Sequence, residues 1–395
     1  ATPVLAMMGL LVVYVAINAS ISGWTSGIPT KRSTPYFRFF AGMLFPFLAF
    51  LFMYNTARSE KQIKWALIAL TLFGFYDLWI AYCQASTLLG GPNLRWLIWP
   101  GYINADIQGM IHFDRARGPF VGAGPQSIFL VTLFYVDLFL IRRVRGPYRW
   151  ILLLQALAVL PALVFAGIRA GYVAFAVCGV VWCVWGLKGR FGWSKLAIAT
   201  LVLTLAVLMR WADVSGTERL KGGVAQRKPV IYRVLLVHQT ARMVADRPFF
   251  GVGFGHFLDA EAKLKYDPGS IALYGTGTVV PHNVLLALLA ETGIVGMAIY
   301  LGLIWVVLRE SLRVYRKIPP SAEGYLSRAF VVLFWVMLAN YFAAGMFSDV
   351  LGDVFSNALL WVLGGLVIGF GRLGRSDLDQ ATRVPAPAGP GSGGQ

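Results

Sequence analysis

Several apolar runs in this chain reach 16 to 22 residues, and that length constrains the fold more than any other feature. At 1.5 Å per helical residue the longer runs cross a hydrocarbon core of about 30 Å. The bilayer interior offers a backbone no water, so each crossing segment must satisfy its own amides as a helix. An all-α, polytopic membrane protein is therefore expected. The composition agrees: 57% of residues are hydrophobic and 13% charged, about half the charge of a soluble domain.

Ten spans are expected, at about 4–20, 36–54, 63–81, 126–141, 149–167, 170–187, 194–211, 283–308, 327–347 and 354–371. The chain opens at Ala1 and is already apolar by Val4, which predicts a trimmed N-terminus and up to twelve spans in a full chain. No signal-peptide pattern is legible at residues 4–20. Arg142, Arg143, Arg145 and Arg149 crowd one short connection, and Lys188, Arg190 and Lys195 a second. Arg309, Arg313, Arg316 and Lys317 fill a third, and Arg58, Lys61 and Lys64 a fourth. Alternating spans put all four on one side, which basic residues mark as cytoplasmic. The tail 372–395 falls there too, and its Pro/Gly/Ser-rich end is expected to be disordered. The organisation is then N-terminal helices 1–211 with an external loop at 82–125, a large external loop at 212–282, and C-terminal helices 283–371.

The net charge of +17 does not point to nucleic acid, because much of it lies in short connections that set orientation. The external face nevertheless carries Arg115, Arg117, Arg169, Arg219, Lys221, Arg227, Lys228, Arg233, Arg242 and Arg247, together with all four histidines, His112, His238, His256 and His282. Cations on the disfavoured side need another reason to be there, and an anionic substrate supplies one. Cys83, Cys178 and Cys183 form neither a disulfide framework nor a thiolate metal pattern. No metal signature is present, and no cofactor is expected.

His282 is the candidate catalyst. It precedes the apolar run from Asn283, where unpaired amides at a helix mouth disfavour imidazolium and keep the ring neutral, as a general base requires. The plainer alternative is an interfacial histidine that caps the helix or bonds headgroups. Arg169, in Ala166-Gly167-Ile168-Arg169-Ala170-Gly171-Tyr172, joins two spans almost without a loop. A guanidinium there suits a phosphate ligand, against simple snorkelling to headgroups. Residues 230–246 suit a surface helix, with Val230, Val234, Val237, Ala241 and Val244 on an apolar stripe, Arg233 on the flank, and His238 and Arg242 four apart on one face. Arg233 and Arg242 add charge to the site or are solvated. Arg115 and Arg117 are further candidates, although Arg115 also has Asp114 beside it. Glu291 lies nine residues beyond His282, about 13 Å along a helix; it is a possible site residue or a buried partner for an arginine or hydroxyl. Asp77 lies deep in a span and has no assigned role. The glycine-rich run 251–255 lacks the strand–loop–helix setting of a nucleotide loop.

Taken together, these residues resemble the O-antigen ligase/polymerase superfamily. The resemblance rests on Arg247-Pro248-Phe249-Phe250-Gly251-Val252-Gly253, the Pro281-His282-Asn283 loop end, and Glu291-Thr292-Gly293-Ile294-Val295-Gly296. Arg117-Gly118-Pro119-Phe120 and Ile168-Arg169-Ala170 look like two further family blocks. The second usually has serines flanking its arginine, and the first usually ends near Asn-Pro-Asn where this chain has Gly124-Pro125-Gln126. The resemblance implies a periplasm-facing glycosyltransferase of the bacterial inner membrane. Its donor would be a glycan on undecaprenyl diphosphate and its acceptor lipid A–core. It assigns catalysis to His282, and diphosphate binding to Arg169 and a loop arginine, Arg242 or Arg233. O-antigen polymerase, an O-linked protein glycosylation ligase, and a lipid-linked glycan flippase or anion transporter are the competing functions. A reporter fused within residues 212–282 should score as external and one within 142–149 as cytoplasmic; cytoplasmic activity of the first overturns the topology.

Overall fold

A computed structural model describes residues 2–25, 34–86, 90–104, 115–186, 227–264 and 282–373. Among them the chain is helical, with eight helices long and apolar enough to span a membrane. These are α1 (Pro3–Ser22), α2 (Pro35–Thr56), α3 (Glu60–Ala85), α4 (Ala123–Ile141), α5 (Pro147–Ala166), α6 (Arg169–Gly186), α9 (Val284–Lys317) and α10 (Arg328–Gly345). A shorter apolar helix, α11 (Val354–Phe370), follows them, and two more, α7 (Arg227–Asp246) and α8 (Phe257–Leu264), belong to the loop before α9. The chain is thus a multi-pass helical membrane protein. The span expected at 194–211 lies outside the described residues, as does His112.

Small residues set the closest packing. Gly365 and Gly369 of α11 lie against the Phe50 and Tyr54 carbonyls of α2, where a Cβ would come within 2.6 and 2.8 Å; spacing of this kind brings membrane helices to backbone contact. Pro46 lacks the amide that would bond the Gly42 carbonyl, and the α2 backbone widens into a π turn at Phe40–Leu44. The Asn357 amide of α11 donates to that carbonyl at 2.8 Å, so the proline costs no unpaired group inside the bundle.

Three of the basic connections gather at one end; the one with Lys188, Arg190 and Lys195 lies outside the described residues. Arg143 donates to the Gly324 carbonyl at 2.9 Å and to Ser327 Oγ at 2.7 Å. The Glu60 carboxylate accepts from the Tyr325 and Leu326 amides, both at 3.3 Å, and Lys317 Nζ donates to Gly371 O at 2.8 Å.

At the opposite end α9 is broken. Gly293 has φ 66° and ψ −169°, which interrupts the ladder just beyond Thr292. The Ile294 and Val295 amides donate to the Pro248 and Phe249 carbonyls, at 2.9 and 3.2 Å. In return the Val252 and Gly253 amides donate to the Ala290 and Glu291 carbonyls, at 2.9 and 3.0 Å. Two missing helical bonds are replaced by four bonds to the run from Pro248 to Gly253. Close approach explains the glycines: a Cβ at Gly251 would stand 2.5 Å from Ala290 O, and one at Gly293 2.4 Å from Phe249 O, both at positive φ.

α1 clamps the seam from the side. Asn18 donates to Phe250 O at 2.8 Å and accepts from the Phe254 amide at 2.6 Å, while Tyr14 Oη donates to Thr292 O at 2.6 Å. His256 bridges Asp259 and the Gly23 carbonyl, each at 2.8 Å.

α7 packs on the first turns of α9 through Leu235, Leu236 and Met243, against Leu286 and Ala290. Each such side chain contributes about 1.5–3 kcal/mol on full burial. The buried face is Leu235, Leu236, Gln239, Thr240 and Met243, whereas Val234 and Val237 of the expected stripe are exposed. α7 therefore has two apolar faces: the exposed one carries Val234 and Val237 of the expected stripe, and the other, which the stripe does not include, makes the contact with α9. Gly293→Ala should lower stability by about 1–3 kcal/mol, the cost of a strained backbone position, in unfolding of detergent-purified protein. Gly9→Ala, in open space on α1, should be neutral or stabilising.

Candidate functional site

The seam fixes the mouth of α9 in place. Asn283 caps the helix, its Oδ1 accepting from the Leu285 and Leu286 amides at 3.0 Å each, and its Nδ2 reaches the Met346 carbonyl at 3.4 Å. His282 is the residue immediately before this cap and has surface open to solvent. Enough protein surrounds the ring to desolvate it, which lowers its pKa below the usual 6.5; the Arg233 charge lowers it further, and Asp349 opposes both. The neutral imidazole expected from sequence thus has desolvation as its principal cause.

Arg233 reaches His282 because α7 and α9 run in the same direction. Arg233 acts on the ring at one end of the pair, and Pro248 bonds Ile294 at the other. The Arg233 guanidinium also lies over the Phe347 ring, 4.9 Å from its centroid, a cation–π contact that holds it over the α10–α11 connection.

Below the histidine is a buried ionic group. Arg38, near the start of α2, is 2% exposed and pairs with Glu291 at 3.1 Å and Asp349 at 2.8 Å. Glu291 is fully buried, and the Phe254 ring covers the guanidinium at 5.5 Å. Glu291 is therefore a buried partner for an arginine, placed at the helix break beneath the site. Arg38 escapes notice in the sequence because the 36–54 run absorbs it as one polar residue among many apolar ones. A lone cation inside a span was the available signal, since such a charge is costly without a partner.

A second cluster forms around the α5–α6 turn. Gly167 adopts the left-handed conformation that ends α5, and Arg169 is the first residue of α6, half-buried at the positive end of the helix. A helix N-terminus offers free amides and a favourable field for an anion. The Ala116 amide donates to Phe165 O at 3.1 Å, and this brings Arg115 to the turn, its Nε 3.5 Å from where a Cβ on Gly167 would stand. The Arg117-Gly118 segment is held by Gln84, whose Oε1 accepts from both amides at 2.8 and 3.0 Å and whose Nε2 donates to Gly118 O at 3.2 Å. Asp77 lies under the same segment, and a Cβ on Gly118 would collide with its carboxylate. Arg117 itself turns away and donates to Ile103 O at 2.8 Å.

The α10–α11 connection touches both clusters. Its Met346 meets Asn283, its Asp349 meets Arg38, and Phe355 at the start of α11 packs on Phe120 at 5.3 Å. Arg242 is exposed on α7; His238 is partly buried, and its Nδ1 has no hydrogen-bond partner among the described residues. Among the described residues no group of three or more His, Cys, Asp or Glu is placed to hold a metal ion.

Helices long and apolar enough to cross a membrane thus carry a histidine and several arginines at the end opposite the described basic connections. Residues 154–301 match the family model described as O-antigen ligase, and that stretch is similar to the O-antigen ligase/polymerase superfamily. Members are glycosyltransferase-like ligases and polymerases acting on lipid-linked glycans. The match contains Arg169, Arg233, Arg242, His282 and the break at Gly293, and leaves Arg38, Arg115 and Asp349 outside it. No curated protein matches the chain.

Arg38→Met leaves Glu291 buried without its cation, and should cost about 3–5 kcal/mol of stability in denaturant unfolding of the purified protein. Adding Glu291→Gln should recover part of that loss. Equal destabilisation by the single and double variants would show that the pair is not coupled.

Proposed function

We propose that the chain is an O-antigen ligase, transferring polysaccharide from undecaprenyl diphosphate to lipid A–core on the periplasmic face of the inner membrane. The observation that carries this reading is His282, desolvated at the mouth of α9 between Arg233 and Asp349, within a family match that also contains Arg169.

In this reading the neutral His282 ring takes the proton from an acceptor sugar hydroxyl as that oxygen attacks the anomeric carbon. Asp349 then faces the imidazolium that forms and favours it electrostatically. The diphosphate leaves with its growing charge neutralised by Arg169 at the α6 N-terminus, with Arg115 beside it and Arg233 or Arg242 from α7. Base and cations are both protein side chains, so the reaction needs no metal. One displacement with no covalent intermediate inverts the anomeric configuration, as in glycosidases that use a single displacement. A product that retains it would eliminate this mechanism.

The test is purified protein in proteoliposomes with undecaprenyl-diphosphate-linked glycan and lipid A–core. Glycan appearing on lipid A–core supports the ligase. Longer glycan on the undecaprenyl carrier, with the core left bare, identifies a polymerase, a reading favoured by the second sizeable external loop at 82–125. His282→Ala should lower turnover by about 100- to 10,000-fold without loss of folded protein, because the side chain is exposed.

The pH dependence follows from the ring. The base form is the neutral one, and a pKa below 6.5 keeps it populated into mildly acidic buffer. The rate should be level near neutrality and fall only as pH drops through that lowered value. An acid limb centred above 6.5 would exclude His282 as the group responsible.

A further inference from the structure

A cavity of about 490 Å³ opens between α1 and the seam loop, lined by Tyr14, Ile17 and Ile21 on one side and by Phe249 and Phe250 on the other, with Arg247 at its rim. Its volume falls in the range of small-molecule sites. The apolar walls are open: Ile17 is 55% exposed, Ile21 83%, Phe249 63% and Phe250 64%. Since α1 crosses the membrane, this openness faces lipid. Arg247 is exposed, and its guanidinium has no hydrogen-bond or ion-pair partner among the described residues.

We infer that this groove is a binding site for an anionic phospholipid of the surrounding bilayer, one acyl chain lying between α1 and Phe249–Phe250 with its phosphate on Arg247. The dimensions fit a chain in one leaflet. Tyr14 to Ile21 spans about 10 Å along α1, within a half-bilayer of about 15 Å. The chemistry of the rim fits the head: an exposed guanidinium suits a phosphate, and the phenylalanines beside it suit the acyl chain.

Geometry also separates this site from the reaction. Arg247 stands about 20 Å along α7 from Arg233, so a phosphate on Arg247 is not the diphosphate that Arg233 and His282 would handle. The lipid has a structural consequence instead. Its two walls are the elements that Asn18 ties together at the seam, and a chain wedged between them holds α1 against the break in α9. The inference rests on the membrane-spanning fold and stands apart from the identity of the transferred glycan.

The test is native mass spectrometry of the full chain released from detergent with phosphatidylglycerol, phosphatidylcholine or undecaprenyl phosphate added. Wild type should retain phosphatidylglycerol over phosphatidylcholine by about fivefold, the effect of one basic residue on an anionic lipid, and Arg247→Gln should abolish the preference. Arg58→Gln, an exposed cation at the other end of the bundle, should leave it intact. Ile17→Trp, which fills the groove from an exposed position, should lower retention of both phospholipids. An unchanged preference in Arg247→Gln, or its equal loss in Arg58→Gln, would overturn the site. Retention of undecaprenyl phosphate ahead of phosphatidylglycerol would overturn the assignment of the occupant and make the groove a donor site.

Discussion

Peptide groups released by a glycine hold this protein's working end together. Gly293 interrupts α9 where an unbroken helix would have bonded Ile294 to Ala290 and Val295 to Glu291, and the run from Pro248 to Gly253 takes up all four orphaned groups. Near a bilayer an unpaired amide or carbonyl is expensive, so neither partner is stable in this form without the other. Loop position, α7 position and the direction of the first turns of α9 all follow from that exchange. His282 inherits its place from them.

Charge is handled by the same region in a different way. Arg38 enters the membrane domain only because Glu291 and Asp349 meet it there. Desolvating three charged groups makes such an arrangement a poor source of net stability, but removing any one member strands the others. The group links α2, α9 and the α10–α11 connection, three segments far apart in sequence. Asp349 serves twice, pairing with Arg38 on one side and acting on the His282 ring on the other. Burial at the base and solvent at the top give one electrostatic unit a rigid foot and a reactive tip.

Much of this was legible from residue order. Span positions follow from apolar length, and nine of the ten expected ones coincide with described helices to within a few residues, apart from the longer C-terminal end of α9. The start of α9 next to Asn283 and the end of α7 before Pro248 follow from local backbone chemistry. What escaped were relations between distant segments. The valine stripe on α7 is genuine, but a second face of Leu235, Leu236 and Met243 makes the contact, and periodicity cannot rank two apolar faces. The glycines at 251, 253 and 293 signal tight turns, yet nothing local says that they meet one another. Arg38 is conspicuous only once its two carboxylates are known to surround it.

The exchange at Gly293 is made wholly of neutral main-chain groups. It neither titrates nor responds to salt, and it places no demand on side chains beyond the absence of Cβ atoms at a few positions. A proton can therefore come and go on His282, only about three helical turns away, without loosening the scaffold that aims it. The outward faces of the same loop and of α7 remain at liberty to change. A protein built this way can alter what it recognises while keeping the machinery of recognition in one fixed register.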